Sequence, residues 1–436
     1  MLEPLYTADE MRAAEAGHDV PTLMERAGRA VAEEALHSFP DAHRFALFAG
    51  GGANGGDGKI AARILTDEHG LEQVEEGADL VIDALLGTGM RGAPRDDAAA
   101  TIERINASGA PVLAVDIPSG VNASTGEVGG AAVDADVTVT MHGRKVGLAV
   151  GPGRFRAGDV IVVDIGLEPR ETEHALVTRD VLDRIPRRRD PVNKYSAGSV
   201  LVVGGARGTT GAAALAARAA FRADAGYVAI AAPADALPTL ETLVVEAVKR
   251  PLEAVFESAE RASALALGPG LGREQRVLVR GLLEGTDLPA VVDADALYGL
   301  EPFEREAPTV LTPHSGELGR LIDEDSHWVD AHRLEALARA VERFGCVVLL
   351  KGADTLIGAP GAGVWVVGDN VPSLATAGTG DVLTGIISAF LAKGMDAREG
   401  AAAGALVHRL AAARGPKRGL VAGDVIEALP SCLAPS

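Results

Sequence analysis

Aromatic side chains make up only 3% of this 436-residue chain. Its cores must therefore be filled by Ala, Val, Leu and Ile, within the 47% of residues that are hydrophobic. Cysteine is almost absent, with Cys346 and Cys432 alone. Two thiols cannot build a disulfide framework, so a reducing, cytoplasmic setting is expected. Both suit buried or tail positions better than catalysis. No apolar run reaches the roughly 18 residues of a membrane span. The first residues, MLEPLYTADEMRAAEA, lack a signal-peptide pattern. Basic residues are also few, 41 against 61 acidic, for a net charge of −20. Binding nucleic acid demands a basic face, so no such partner is expected. The one basic run, RIPRRRD at 184–190, suits a linker or surface.

Short apolar strands alternate with Ala-rich helical runs. In the first half the strands are RFALFAG (44–50), ADLVIDALLG (78–87), PVLAVDIPSG (111–120), DADVTVTM (134–141) and DVIVVDIG (159–166). Their continuous hydrophobicity predicts a parallel sheet covered on both faces. The polar stretch 167–193 breaks the pattern and predicts a boundary, giving domains 1–170 and 171–436. A second series follows at 199–205, 227–233, 264–270, 290–297, 309–314, 347–352 and 363–370, with clear helices at 211–226 and 329–345. Both halves are expected to be α/β, Rossmann-like three-layer in the first and three-layer again in the second. No internal repeat is visible.

The most informative segment is NVPSLATAGTGDVLTG, Asn370–Gly385. Gly378 and Gly380 allow a sharp turn, and the apolar run after it scans as a helix. The amides of Gly378, Thr379 and Gly380 then crown a helix N-terminus, which favours an anion. Asp381 adds a carboxylate at the same turn. A base beside amides that stabilise a moving phosphoryl group is the minimum apparatus for phosphorylating an alcohol. A lone GTGD is equally an N-capping Asp after a glycine loop. Its company adds weight. LGPGLG (267–272), VVDADAL (291–297) with Asp293 and Asp295, LTPHSGE (311–317) with His314 and Glu317, and LLKGADT (349–355) with Lys351 and Thr355 all end strands. Ligands gather at such carboxyl ends.

This ordered set, from GSVLVVGG and GAAALAARAA to NVPSLATAGTGDVL, closely resembles the ribokinase-like ADP/ATP-dependent NAD(P)H-hydrate dehydratases over residues 175–436. The resemblance implies phosphorylation of the C6 hydroxyl of hydrated nicotinamide by ADP or ATP, followed by loss of phosphate. It makes Asp381 the base and a hydrate contact. It assigns Ala212, Gly270 and His314 to the hydrate, and Lys351, Gly352, Ala353, Asp354 and Thr355 to the adenylate. Gly378, Thr379 and Gly380 take the nucleotide phosphates. Because this half is poor in basic residues, Mg²⁺ is expected to accompany the nucleotide.

In the first half, GGGANGGDG (50–58) follows a strand and precedes a helical run. Its spacing is not that of the GxGxxG dinucleotide fingerprint. DALLGTG (83–89) and DIPSG (116–120) end later strands. Asn54, Asp83 and Ser119 can offer oxygens to a monovalent cation, and Asp116 can act as acid or base; each is equally a turn or cap residue. With ERAGRAVAEEAL, AVDIPSGVNASTGEV and RKVGL, this half resembles the NAD(P)H-hydrate epimerase domain over residues 5–168. The resemblance implies interconversion of R and S hydrates, with K⁺ on Asn54, Asp83 and Ser119. It implies hydrate contacts from Ala53, Asn54, Gly55, Gly56 and Asp57, from Gly87, Thr88, Gly89, Met90, Arg91, Gly92 and Ala93, and from Asp116.

The chain departs from the family pattern twice. Ala53 stands where the motif NNGGDG has its first Asn. Too few residues separate Asp67 from Asp79 for the usual further strand and helix, so that edge unit is expected to be missing. The alternatives are a first half without activity, serving binding or oligomerisation, and a ribokinase-like kinase for a vitamin precursor. A homo-oligomer, tetramer or larger, is expected. The choices of ADP or ATP and of NADH or NADPH hydrate are open.

Overall fold

The computed structural model describes residues 2–187, 197–368 and 371–433. Positions 188–190 of the basic run lie outside these residues, as does Asn370. The chain divides into two compact units, one of Pro4–Ala175 with Asp330–Arg333, the other of the residues before Pro4 with Leu176–Val329 and Leu334 onward. Among the described residues, no helix is long and apolar enough to cross a membrane.

The first unit holds a six-stranded parallel sheet in the spatial order Glu72–Gln73, Arg44–Ala49, Leu80–Ala84, Val112–Val115, Val137–Met141, Asp159–Val163. Leu80–Ala84, Val112–Val115 and Val137–Met141 are buried along their whole length, as strands covered on both faces must be. Helices Val20–Ser38 and Ala53–Asp67 share a core with Phe45, Leu80, Ile82 and Leu113. Helix Asp96–Asn106 covers the opposite face through Ile102 and Ile105, against Ala46, Val81 and Val112. The winding reverses between Arg44–Ala49 and Leu80–Ala84. A crevice opens at the carboxyl ends of strands at such a point.

The segment between Asp67 and Asp79 corrects one expectation. The edge strand survives as a two-residue stub, Glu72–Gln73, and only the helix is missing. The stub pairs with Arg44 and Phe45, at the amino end of its neighbour. Asp79 closes the return, its Oδ2 accepting from the amides of His43 and Arg44 at 3.2 and 3.0 Å. A chain that never travels up the sheet needs no helix to bring it back. The shortening therefore stays at the amino end, away from the crevice.

In the second unit the strands run in the order Val248–Pro251, Tyr227–Ala232, Ser199–Val203, Ala264–Leu267, Ala290–Val292, Thr309–Leu311, Val347–Leu350, Thr355–Gly358, Trp365–Val367. Pairing is parallel up to Val347–Leu350 and antiparallel for the last two. The winding reverses between Ser199–Val203 and Ala264–Leu267. Val248–Pro251 and Thr355–Gly358 escape the sequence reading, the first because it is short and half-buried, the second because it begins inside the KGADT motif. Helices Thr210–Arg222 and Thr379–Ala392 pack closely against each other. A Cβ on Gly385 would stand 2.1 Å from Ala216 O. Only glycine permits that approach, and alanines fill the seam where aromatics are scarce.

Candidate functional site

In the second unit the loops at the reversal are tied together. Ala206 N and Thr209 Oγ1 both donate to Gly270 O, at 2.7 and 3.0 Å. Ala212 follows on the helix that starts there, its amide on Thr209 O at 3.1 Å. Asp295 Oδ2 accepts from Gly272 N at 3.0 Å and so pins the other end of the GPGLG loop.

The glycine turn forms as its sequence predicts. Gly378, at φ +89°, is the N-cap of helix Thr379–Ala392, and no side chain caps it. The first-turn amides therefore have no intrahelical acceptor. Thr379 Oγ1 donates back to Thr376 O and Leu374 O at 2.8 and 2.9 Å, which fixes the turn. The Thr379 amide makes only a long bond to Thr376 O, 3.4 Å. Behind the turn His408 is buried against the Thr379 backbone, and burial brings its pKa down to about 4, so the ring is neutral.

Facing the turn is a group of charges. A Cβ on Gly380 would lie 3.6 Å from Lys351 Nζ and 3.9 Å from Asp293 Oδ2. Lys351 Nζ donates to Asp293 Oδ1 at 2.7 Å and stands 3.6 Å from Glu317 Oε2. Asp293 Oδ2 accepts from Thr384 Oγ1 at 2.7 Å. Burial works against the Lys351 charge, but Asp293 and Glu317 overcome it and hold the ammonium above its ordinary pKa. Asp381 is the third residue of the helix. Burial, then the Asp293 charge, push its carboxyl up to about 7, while Lys351 pulls the other way. At neutral pH a carboxyl so placed is poised to take a proton.

The other expected residues are less central. His314 caps helix Ser315–Ile322, with Nδ1 accepting from Gly316 N at 3.0 Å and Glu317 Oε2 accepting from His314 N at 2.9 Å. Lys351 N donates to Pro313 O at 2.9 Å and joins the two strand-end loops. Gly352, Ala353, Asp354 and Thr355 then form a hairpin into the antiparallel strand, with Asp354 buried. Lys351 is the member of that stretch that reaches the glycine turn.

In the first unit a cavity of about 540 Å³ occupies the crevice. Of the expected residues, Ala53, Asn54, Gly55, Asp57, Gly87, Thr88, Gly89, Met90 and Asp116 line it. Gly56 turns against Met24 instead. Arg91, Gly92 and Ala93 run on beyond the lining, exposed. Helices Ala8–Glu15 and Val20–Ser38 add Glu15, Leu23, Met24 and Ala27 to the wall. In those helical patterns Leu23, Met24 and Ala27 read as ordinary core residues and Glu15 as a solvent-facing charge, so sequence reasoning missed them.

Asp83 and Ser119 are fully buried just beneath. Asp83 accepts from Ser119 Oγ at 2.6 Å and from Ser119 N at 2.8 Å. Burial nevertheless pushes its carboxyl up to about 6. Ser119 Oγ in turn accepts from Leu86 N at 2.8 Å, and Asn54 Nδ2 donates to Leu86 O at 2.9 Å. Asn54 Oδ1 is buried without a protein partner. An all-oxygen set with one oxygen left over fits a hard monovalent cation, because an orphaned buried acceptor is costly unless something occupies it.

Asp116 adopts φ 66°, a left-handed conformation that costs a non-glycine residue and recurs at functional sites. Its Oδ1 accepts from Lys145 Nζ at 2.5 Å and from Thr140 Oγ1 at 3.2 Å. Lys145 is fully buried and also donates to Met141 O at 2.9 Å. Lys145 is the lysine of RKVGL, a motif that the sequence displays without assigning that side chain a role. Asp57 and Glu15 have no such cation at hydrogen-bond distance. Burial, then the Asp116 charge, raise both, Asp57 to about 8.

Comparison with known proteins follows the same division. Residues 200–430 match the family model described as NAD(P)H-hydrate dehydratase. Residues 20–75 and 66–147 match, in two pieces, the model described as YjeF-related protein N-terminus. The pieces meet at 66–75, where the helix is missing. The bifunctional NAD(P)H-hydrate repair enzyme of Moorella thermoacetica is 35% identical over 510 aligned residues, covering 98% of this chain and 96% of that protein. That of Escherichia coli is 32% identical, covering 99% and 94%. Among solved structures, the ADP/ATP-dependent NAD(P)H-hydrate dehydratase of Bacillus subtilis, co-crystallized with ATP/Mg²⁺, aligns with a TM-score of 0.54 at 28% identity, over 58% of this chain and 96% of that one.

Proposed function

We infer the chemistry of each unit from one premise, that this chain belongs to the bifunctional NAD(P)H-hydrate repair enzymes. The second unit returns the S hydrate to NAD(P)H at the expense of ADP or ATP, and the first interconverts the R and S hydrates. The observation that carries the first of these is Asp381, a half-buried carboxyl poised near neutrality beside unspent helix amides and within reach of the Lys351 charge.

Asp381 takes the proton from the C6 hydroxyl as its oxygen attacks the terminal phosphoryl group. The amides of the glycine turn accept the charge that builds on the phosphoryl oxygens. We assign Lys351 to those same oxygens rather than to the adenylate, since its ammonium faces the turn. Once phosphorylated, the hydroxyl oxygen is a good leaving group; the ring nitrogen's lone pair expels it as phosphate, forming C=N to C6, and loss of a C5 proton to solvent or to the departing phosphate returns those electrons to nitrogen and forms the C5=C6 bond of NAD(P)H. Ala212 and Gly270 shape the rim that receives the hydrate, and His314 borders it.

Mg²⁺ bound with the nucleotide supplies charge neutralisation. Asp293 and Glu317 already have protein partners on their oxygens, so the fit is to an ion carried on the phosphates with its own waters. In the first unit, Asn54, Asp83 and Ser119 would hold K⁺, which supplies a fixed positive charge near the hydrate. We place the protein in the cytoplasm, where its two free cysteines stay reduced. The test is chromatographic: hydrate consumption with ADP and with ATP, with and without excess chelator. Consumption that needs neither nucleotide nor a divalent ion would overturn the assignment.

A further inference from the structure

We propose that Asp57 and Asp116 form an acid–base pair across the cavity of the first unit, with Asp57 giving a proton to the hydrate's C6 hydroxyl and Asp116 taking one from the water that replaces it. This rests on the epimerase reading of that unit and adds the groups that carry the step.

Both residues line the same cavity, yet their surroundings are opposite. Asp116 is clamped by the buried Lys145 ammonium, by Thr140 and, at 3.4 Å, by the Met141 amide. All of these donate to its Oδ1. Asp57 has a buried Oδ1 with no protein partner. The charges of Asp116 and of Glu15 from the first helix act on it, and the Lys145 ammonium pulls the other way. Burial and those two acidic neighbours push it up to about 8, so it carries a proton at neutral pH. His142, beside Lys145, has its pKa lowered by burial and does not compete as an acid. Two carboxyls in such different surroundings are how a site obtains an acid and a base at one pH. The orphaned oxygen shows that Asp57 is not held for a structural bond within the protein.

The step balances. Asp57 transfers its proton to the C6 hydroxyl oxygen, the C6–O bond breaks, and the ring nitrogen's lone pair forms a C=N bond to C6. A water leaves. A second water on the other face bonds C6 as Asp116 takes its proton, and the C=N electrons return to nitrogen. One proton has moved from Asp57 to Asp116. The reverse turnover, or exchange with solvent, restores the starting state.

The test uses the full-length protein without nucleotide, so that no hydrate is consumed, and follows the approach of pure S hydrate to the R/S mixture by chromatography. Wild-type epimerisation should fall as pH rises through about 8. Asp57→Asn, nearly the same shape, should lose about 10²–10⁴-fold in rate, while calorimetric affinity for the hydrate changes less than about tenfold. Asp57→Glu should restore part of the rate and shift the pH of the fall. An Asp57→Asn protein that keeps both the rate and the fall would overturn the pair. So would one that melts as the wild type does but loses affinity as much as rate, since Asp57 would then be a binding group. A wild type no faster than spontaneous epimerisation would instead overturn the epimerase reading, and the pair with it.

Discussion

The two sites stand at the same place in two sheets of the same kind, at the carboxyl ends of strands where the winding reverses. Each has a glycine-rich turn leading into a helix whose N-cap makes no side-chain bond, Gly52 in one unit and Gly378 in the other. What differs is where the lysine sits. Lys351 faces its turn and leaves Asp381 as the free carboxyl nearby. Lys145 is bonded to Asp116, and burial with the Asp116 and Glu15 charges outweighs its pull on the acid on the helix, Asp57, which keeps its proton. In the roles proposed above, one arrangement receives an anion and removes a proton, and the other, with a raised carboxyl on the helix and a lysine-bonded one at the strand end, moves a proton without phosphate. The shared architecture fixes neither chemistry, because one cation's position changes both carboxyls.

The largest expected effect falls on the second site. Asp381→Asn should lower nucleotide-dependent dehydration by about 10²–10⁴-fold, with ADP binding by calorimetry little changed. Epimerisation in the same protein should continue, which separates the two sites in one experiment. Near-normal dehydration would remove Asp381 from the mechanism.

Lys351→Met should come next. Asp293 is 2% exposed and loses its charge partner, and breaking a buried pair costs about 3–5 kcal/mol. A thermal melt reads that cost. If Lys351 meets the moving phosphoryl group, turnover at saturating nucleotide should also drop, by about 10²-fold. A loss confined to affinity would return Lys351 to the adenylate, as the family resemblance has it.

The raised carboxyls make a third comparison. Burial pushes the Asp381 and Asp57 carboxyls up to about 7 and about 8, well above the ordinary aspartate range. For a group raised on folding, the native state binds more protons than the unfolded one. Their contribution is thus fully present below about pH 4 and lost as pH rises through 7 and 8. Dehydration should do the reverse, rising through about pH 7 as Asp381 ionises, until other groups intervene. A rate profile and a melting profile that cross in this way would support the assignment. Parallel profiles would count against it.

Much of this was legible from residue order. The glycine turn, the strand-end acids and the boundary near the polar stretch follow from spacing and hydrophobic pattern, since strand ends and glycine loops are local features. Lys145 and Glu15 were not legible as site residues. Their place depends on helix and strand packing far apart in sequence, and a lone charge on an amphipathic element usually faces solvent. The stub at Glu72–Gln73 was also hidden, because two residues carry no periodicity to read. His314, which the resemblance assigns to the hydrate, is the N-cap of helix Ser315–Ile322, a bond to a neighbouring amide that the motif alone does not single out.

The smallest expected effect concerns Ala53. It is exposed, at the first position of its helix and on the rim of the cavity. An asparagine there is what the family motif carries. Because the position is open to water, a hydrate group left without that amide still has solvent to bond. The loss is therefore one net hydrogen bond rather than a buried orphan, about 0.5–1.5 kcal/mol. Ala53→Asn should tighten hydrate binding by about two- to tenfold and leave the pH dependence of epimerisation unchanged, because Asp57 and Asp116 are not altered. A gain of about a hundredfold or more would mean that Ala53 had disabled the site and that the first unit is a module without activity in its natural form. No change at all would mean that Gly87–Met90 and Asp57 hold the hydrate without help from the rim.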